Sequence, residues 1–113
     1  MKILVHNILN TPYSIKVGSR EELHLNEGNI GECRVFSKDI LVCTDTEDCN
    51  EFEVSVRTGE VLAHEIFHAY SNEAGLVLDD ETEEMIATFY MKNWRKMTNS
   101  ILEVLDKMDF LDK

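Results

Sequence analysis

With one proline and three cysteines in 113 residues, the chain lacks the raw material of several protein classes. Cys33, Cys43 and Cys49 are odd in number, irregularly spaced and free of any CxxC pair, which argues against a disulfide framework. They read as spare thiols, although a thiolate from Cys43 or Cys49 could complete a metal site. No low-complexity run or proline-rich linker calls for disorder, and no apolar stretch reaches the length of a membrane span. The opening residues, Met1 to Asn7, hold one basic residue and an apolar run too short for a signal peptide, so the protein is expected in the cytoplasm and off the membrane. Basic residues are scarce too. Eleven stand against 22 acidic ones, giving a formal charge of −11 and a field that repels phosphate backbones, so nucleic acid is not expected as a partner. Most of that charge reads as a solvated face rather than the mark of a specific partner.

What is present fits one domain spanning 1–113, long enough for a single core. The fold expected is α+β: a small N-terminal antiparallel or mixed sheet of three to four strands packed on two to three helices. Strands fall within about 1–45. Ile3–Val5 and Tyr13–Val17 flank a turn at Asn10-Thr11-Pro12 and make a first hairpin, closed by Gly18-Ser19. Cys33–Phe36 and Ile40–Cys43 flank Ser37-Lys38-Asp39 and make a second. Glu51–Val56 alternates like a strand, yet Asn50 and Glu53 could close a capping box, and the balance leans to helix. Helices follow at about 55–75, despite Gly59, and at about 80–98 behind an N-cap at Asp79 or Asp80. Thr98-Asn99-Ser100 then interrupts the pattern, and Ser100 with Glu103 suggests a C-terminal helix, or a kinked continuation, at about 100–110.

The most informative residues are His64-Glu65-Ile66-Phe67-His68, an HExxH segment. On a helix, histidines four apart share one face about 6 Å apart along the axis, so both imidazoles can reach one metal ion. Glu65 then lies beside that ion, placed to handle the proton of a bound water. The bare pattern arises by chance in roughly one chain of this length in a few hundred, so context has to support it. Val61, Leu62, Ile66, Phe67 and Tyr70 supply an apolar face, and Gly75 stands where a C-cap belongs. The competing reading is a helix whose two histidines are merely hydrogen-bonded near the core.

A hydrolytic metal site needs a third protein ligand and one position open to water. The acidic run Asp79-Asp80-Glu81-Thr82-Glu83-Glu84 opens the next helix at a suitable remove. Glu83 shares a face with Ile86 and Tyr90, Glu84 with Ala87 and Met91, so face counting leans to Glu83. If Asp80 were the N-cap, however, Glu83 would fall at N3 and could be taken up in a capping box. Tyr70, Tyr90 and His24 are candidates for steadying an oxyanion, with nothing to choose between them.

Leu62 to Tyr70, then Glu73-Ala74-Gly75-Leu76 and Glu84-Met85-Ile86-Ala87, with Gly31-Glu32-Cys33 upstream, resemble the small metallopeptidases of phages and prophages, related in pattern to gluzincins and minigluzincins. The resemblance covers roughly residues 30 to 92. It implies a zincin-like domain binding Zn²⁺ through His64, His68 and a glutamate followed three positions later by a small residue, a pattern that Glu84 with Ala87 meets and Glu83 with Ile86 does not. It also implies Glu65 as the catalytic base, a peptide or protein substrate, and an edge strand, here Ile40 to Thr44, lying along the cleft. The tail from Asp106 to Lys113 could occupy the cleft and hold the enzyme latent. The chain has no room for the second subdomain that lines the cleft of larger gluzincins. A catalytically weak or inactive zinc-binding regulatory protein on the same scaffold is therefore the alternative. The oligomeric state is left open.

Overall fold

Ile40-Leu41-Val42-Cys43 is an uninterrupted apolar run, and such a run buries completely only in a strand covered on both faces. The computed structural model, which describes residues 1–45 and 51–110 and leaves aside the side chains of 51–53, places it there. Four strands, β1 (Lys2–Ile8), β2 (Thr11–Gly18), β3 (Gly31–Arg34) and β4 (Asp39–Cys43), form one sheet in the order β1-β2-β4-β3. β1 pairs antiparallel with β2, β2 parallel with β4, and β4 antiparallel with β3, so the sheet is mixed. The α+β architecture expected is the one found.

Both hairpins form, with adjustments. The first turns at Leu9-Asn10, both in the left-handed region (φ 47° and 69°), and leaves Thr11 and Pro12 inside β2 rather than in the turn. Two successive left-handed residues match the right-handed twist of the strands they join. The second turns through 35–38, with Lys38 left-handed at φ 60°. β4 lies in the interior of the sheet and not at its edge. The exposed edge beside the helices is β3, which corrects the edge strand expected at Ile40 to Thr44.

Each face of β4 has its own cover. Ile40 and Val42 join Tyr13, Ile15, Val61 and Ala69 in the main core. Leu41 and Cys43 pack on the other face with Leu23 and Leu25. Those leucines belong to or follow α1 (Arg20–Leu23), a short helix that the pattern reading passes over, although Ser19 and Glu22 close a complete capping box at its start. Cys43 is thus buried on the side of the sheet away from Val61 and cannot serve as a ligand there. Cys49, and the suggested box between Asn50 and Glu53, lie outside the described residues and side chains.

Two long helices complete the chain. α2 (Glu51–Glu73) includes the ambiguous Glu51–Val56 stretch and carries the HExxH segment. It ends in a Schellman motif: Gly75 is left-handed at φ 71°, and the amides of Leu76 and Gly75 return to the carbonyls of Ser71 and Asn72. α3 (Asp80–Lys107) runs without interruption through Thr98-Asn99-Ser100, so the separate C-terminal helix is its continuation. Ser100 sits mid-helix because the flanking apolar positions keep one helical phase across it. Among the described residues no helix is long and apolar enough to cross a membrane.

The end of α2 is tied to the sheet by Glu73. Its Oε1 accepts from Tyr13 Oη (2.8 Å) and Lys38 Nζ (2.6 Å), and its Oε2 from Thr11 Oγ1 (3.0 Å). Lys38, then Tyr13, hold its carboxyl down at about 2. A carboxyl with a depressed folded-state pKa stabilises the fold above its unfolded value, and loses that contribution as pH falls through the folded value. Glu73→Gln should therefore lower the urea midpoint at pH 7, and the gap from wild type should close between about pH 4.5 and pH 2, measured on metal-free protein.

Candidate metal centre

α2 packs on the sheet through Val61, Ala69 and neighbouring residues, and this orientation decides where the HExxH side chains point. Glu65 turns towards the sheet and is buried, whereas His64 and His68, on the flank facing α3, are only half-buried. β3 comes very close to this part of α2. A Cβ on Gly31 would stand 2.6 Å from Val61 Cγ1 and 3.1 Å from Glu65 Oε2, so any larger residue would force its neighbours to shift.

α3 supplies the carboxylates. Asp79 is its N-cap, accepting from the Thr82 amide at 2.7 Å, which settles the choice between Asp79 and Asp80. Thr82 is then N3, and Glu83, one residue further on, is free of any capping role. The two adjacent glutamates diverge. Glu84 Oε1 lies 2.7 Å from His68 Nε2 and its Oε2 lies 3.2 Å from His64 Nε2, while the two Nε2 atoms are 3.2 Å apart. Glu83 Oε2 instead meets His68 Nδ1 at 2.7 Å, and its Oε1 accepts from Ser71 Oγ at 2.6 Å. Face counting favoured Glu83, and Glu83 does turn inward, but towards the far nitrogen of the ring.

The donor set fits a metal ion. His64, His68 and Glu84 present one ligand atom each, all within 4.8 Å of one another. Donors held about 2.0–2.2 Å from one tetrahedral ion lie roughly 3.3–3.6 Å apart, close to the spacing of the two imidazole nitrogens. Protonation points the same way. A carboxylate can only accept, so Glu83 is placed to take the proton of His68 Nδ1, the tautomer that would leave Nε2 free to bind an ion. Burial lowers the pKa of His64 and so favours its neutral, ligating form, against the opposing pull of Glu84. The cluster is thus capable of holding a metal ion.

Glu65 stands next to this point. Burial pushes its carboxyl up to about 7, against the opposing effect of His68. Cavities open on both sides. One of about 260 Å³ is lined by Ile30, Gly31, Val61, His64, Glu65 and Met91 among others. A second, of about 470 Å³, borders Cys33, Glu65, His68, Asn72, Glu83 and Glu84. Burial, then the charges of Glu65 and Glu83, push the Cys33 thiol up to about 12, and its sulfur is not part of the cluster.

Several candidates fall elsewhere. Tyr70 and Tyr90 are exposed and line neither cavity. His24 closes α1 in the left-handed conformation. The tail does not fold back either: along α3, Asp106 lies about 33 Å from Glu84, and the described chain ends at residue 110. Asp106 to Phe110 thus stand away from the cleft of their own chain, and the rest of the tail lies outside the described residues. Two features escaped the sequence reading. The Ser71–Glu83 pair could have been suspected from Ser71 lying one turn beyond His68; the closeness of Gly31 to Glu65 had no local signal. Compared with protein-family models, with curated proteins and with solved structures, the chain matches none.

Two substitutions test this construction. Glu83→Gln should weaken metal binding about 10–100-fold by titration calorimetry, because it loosens the ring orientation and proton placement of His68. Gly31→Ala should lower stability by roughly 1–3 kcal/mol in denaturant unfolding, because the new methyl group forces β3 away from Val61 and Glu65.

Proposed function

We propose that the chain is a zinc-dependent peptidase that hydrolyses peptide bonds with an activated water, a small gluzincin-like or minigluzincin-like enzyme of the phage and prophage type, acting in the cytoplasm. The observation that carries this reading is the convergence of His64 Nε2, His68 Nε2 and the Glu84 carboxylate beside a buried Glu65. Two imidazoles and one carboxylate, with room left for a fourth ligand, suit zinc among the common metals. A bound zinc ion supplies Lewis acidity, polarising the scissile carbonyl and making a water acidic enough to attack near neutral pH.

The protein's own groups supply the rest. His64, His68 and Glu84 are the proposed ligands, and Glu83 keeps His68 in the tautomer that ligation requires. Glu65 takes the proton from the attacking water and returns it to the nitrogen of the leaving amine. Its carboxyl, raised to about 7 by burial, is poised to give a proton back as well as accept one. β3, at the free edge of the sheet beside Glu65, offers backbone donors and acceptors to an extended peptide. The 260 Å³ cavity next to His64 has room for an apolar side chain of such a peptide.

One observation favours the second reading, a metal-binding regulatory protein with weak or no catalysis: neither cavity beside the cluster is lined by Tyr70, Tyr90 or His24. The two readings separate cleanly. Glu65→Gln should retain one zinc per chain by elemental analysis while losing about 10²–10⁴-fold in hydrolysis of a peptide library; Glu84→Ala should lose the zinc itself. Wild-type protein that binds zinc and cleaves nothing would decide for the regulatory reading, and turnover that survives Glu65→Gln would remove Glu65 as the base.

A further inference from the structure

The C-terminal half of α3 is apolar along one side and has no cover among the described residues. From Arg95 to Phe110 every residue except Leu105 is exposed, including Met97, Ile101, Val104, Met108 and Phe110. Tyr90, Trp94, Met97, Ile101, Val104, Leu105 and Met108 follow one another at alternating helical spacings and fall within an arc of about 100°. A stripe that regular is the pattern one helix presents to another in a packed pair.

The stripe begins at a groove. Gly59, Leu62, Ala63 and Ile66 of α2, with Tyr90 and Trp94 of α3, enclose an apolar space of about 240 Å³. Gly59 helps to keep it open, since a Cβ there would meet nothing within 4 Å. At the far end, a Schellman motif stops α3: Asp109 is left-handed at φ 61°, and the amides of Phe110 and Asp109 return to the carbonyls of Leu105 and Asp106. Met108 and Phe110 are thereby held at a defined position, 62% and 73% exposed. Trp94 and Met108 lie seven residues either side of Ile101.

We propose that this surface binds a second copy of the chain, the two α3 helices pairing antiparallel about a two-fold axis at Ile101. In that register Ile101 meets its counterpart, Met97 meets the other copy's Leu105, and Trp94 meets its Met108. The Met108–Phe110 end of each copy then fills the groove of the other, so an exposed apolar knob and an open apolar groove on one chain satisfy each other twice. Charge selects the same occupant and the same direction. Residues 92–96 carry Lys92, Arg95 and Lys96 with no acid, whereas 103–109 carry Glu103, Asp106 and Asp109 against Lys107 alone. Antiparallel pairing sets the basic segment of each copy beside the acidic segment of the other, while parallel pairing would stack like on like. The helix dipoles add to this preference. Glu84 lies about 25 Å along α3 from Ile101, so the pairing leaves the metal cluster open and does not depend on any catalytic activity.

Sedimentation equilibrium of the full chain tests the proposal. The expected result is a reversible dimer of the 13.0 kDa chain. Ile101→Asp, exposed in the single copy and so harmless to its fold by circular dichroism, should raise the dissociation constant roughly 100-fold by placing two unpaired carboxylates at the axis. Direction is read from cross-linking: a mixture of Met97→Cys and Leu105→Cys chains should form a disulfide-linked dimer under mild oxidation, and each variant alone should do so no more than wild type. A wild-type chain that stays monomeric at 100-fold dilution and at its solubility limit alike, a dimer indifferent to Ile101→Asp, or cross-linking of Met97→Cys with itself would each overturn the proposal.

Discussion

The convergence of His64 Nε2, His68 Nε2 and the Glu84 carboxylate, gathered within 4.8 Å, is the constraint on which the rest of the functional architecture depends. Side chains from two separate helices meet around one point only where both helices are held firmly in place. α2 provides one rigid side, anchored by Val61 and Ala69 in the core and tied at its end by Glu73 to Thr11, Tyr13 and Lys38. α3 provides the other, capped at its start by Asp79 and packed into the core through Ala87.

The same helix geometry gives two adjacent, chemically identical side chains different tasks. Glu84 is largely exposed and meets both ring nitrogens that face the cleft, whereas Glu83 is more enclosed, takes a hydrogen bond from Ser71 and holds the far side of His68. The hydroxyl of Ser71, acting with His68 against the penalty of partial burial, lowers the pKa of Glu83. Its charge therefore persists, and it can keep the His68 proton on Nδ1. The cluster and the carboxylate that orders it arise from consecutive residues on one turn.

Much of this was legible beforehand, for identifiable reasons. The HExxH helix, the glycine that ends it and the two hairpins rest on local periodicity and turn chemistry, which the tertiary structure has no cause to override. Glu84 came from the small residue three positions later, a feature tied to resemblance rather than to face counting. The misreadings share a cause. β4 was taken for an edge strand although its four consecutive apolar residues describe a strand buried on both sides, and Ser100 was read as a cap although the apolar positions on either side of it continue one helical stripe. In each case a longer apolar pattern was passed over, at Ser100 for a local capping signal and at β4 for the edge position that the resemblance implied.

The sequence by itself determined that two histidines and a glutamate would share a helix, that carboxylates would open the next one, and that the chain would be α+β, because spacing within a helix and hydrophobic period are properties of nearest neighbours. Only the tertiary structure decided which glutamate faces which nitrogen, that a residue without a Cβ lies against Glu65 at Gly31, and that Asp106 stands some 33 Å from Glu84. Those outcomes depend on how separate elements are rotated and brought together. That rotation is a consequence of the whole core, from Tyr13 to Ala87, and no local stretch of the chain carries it.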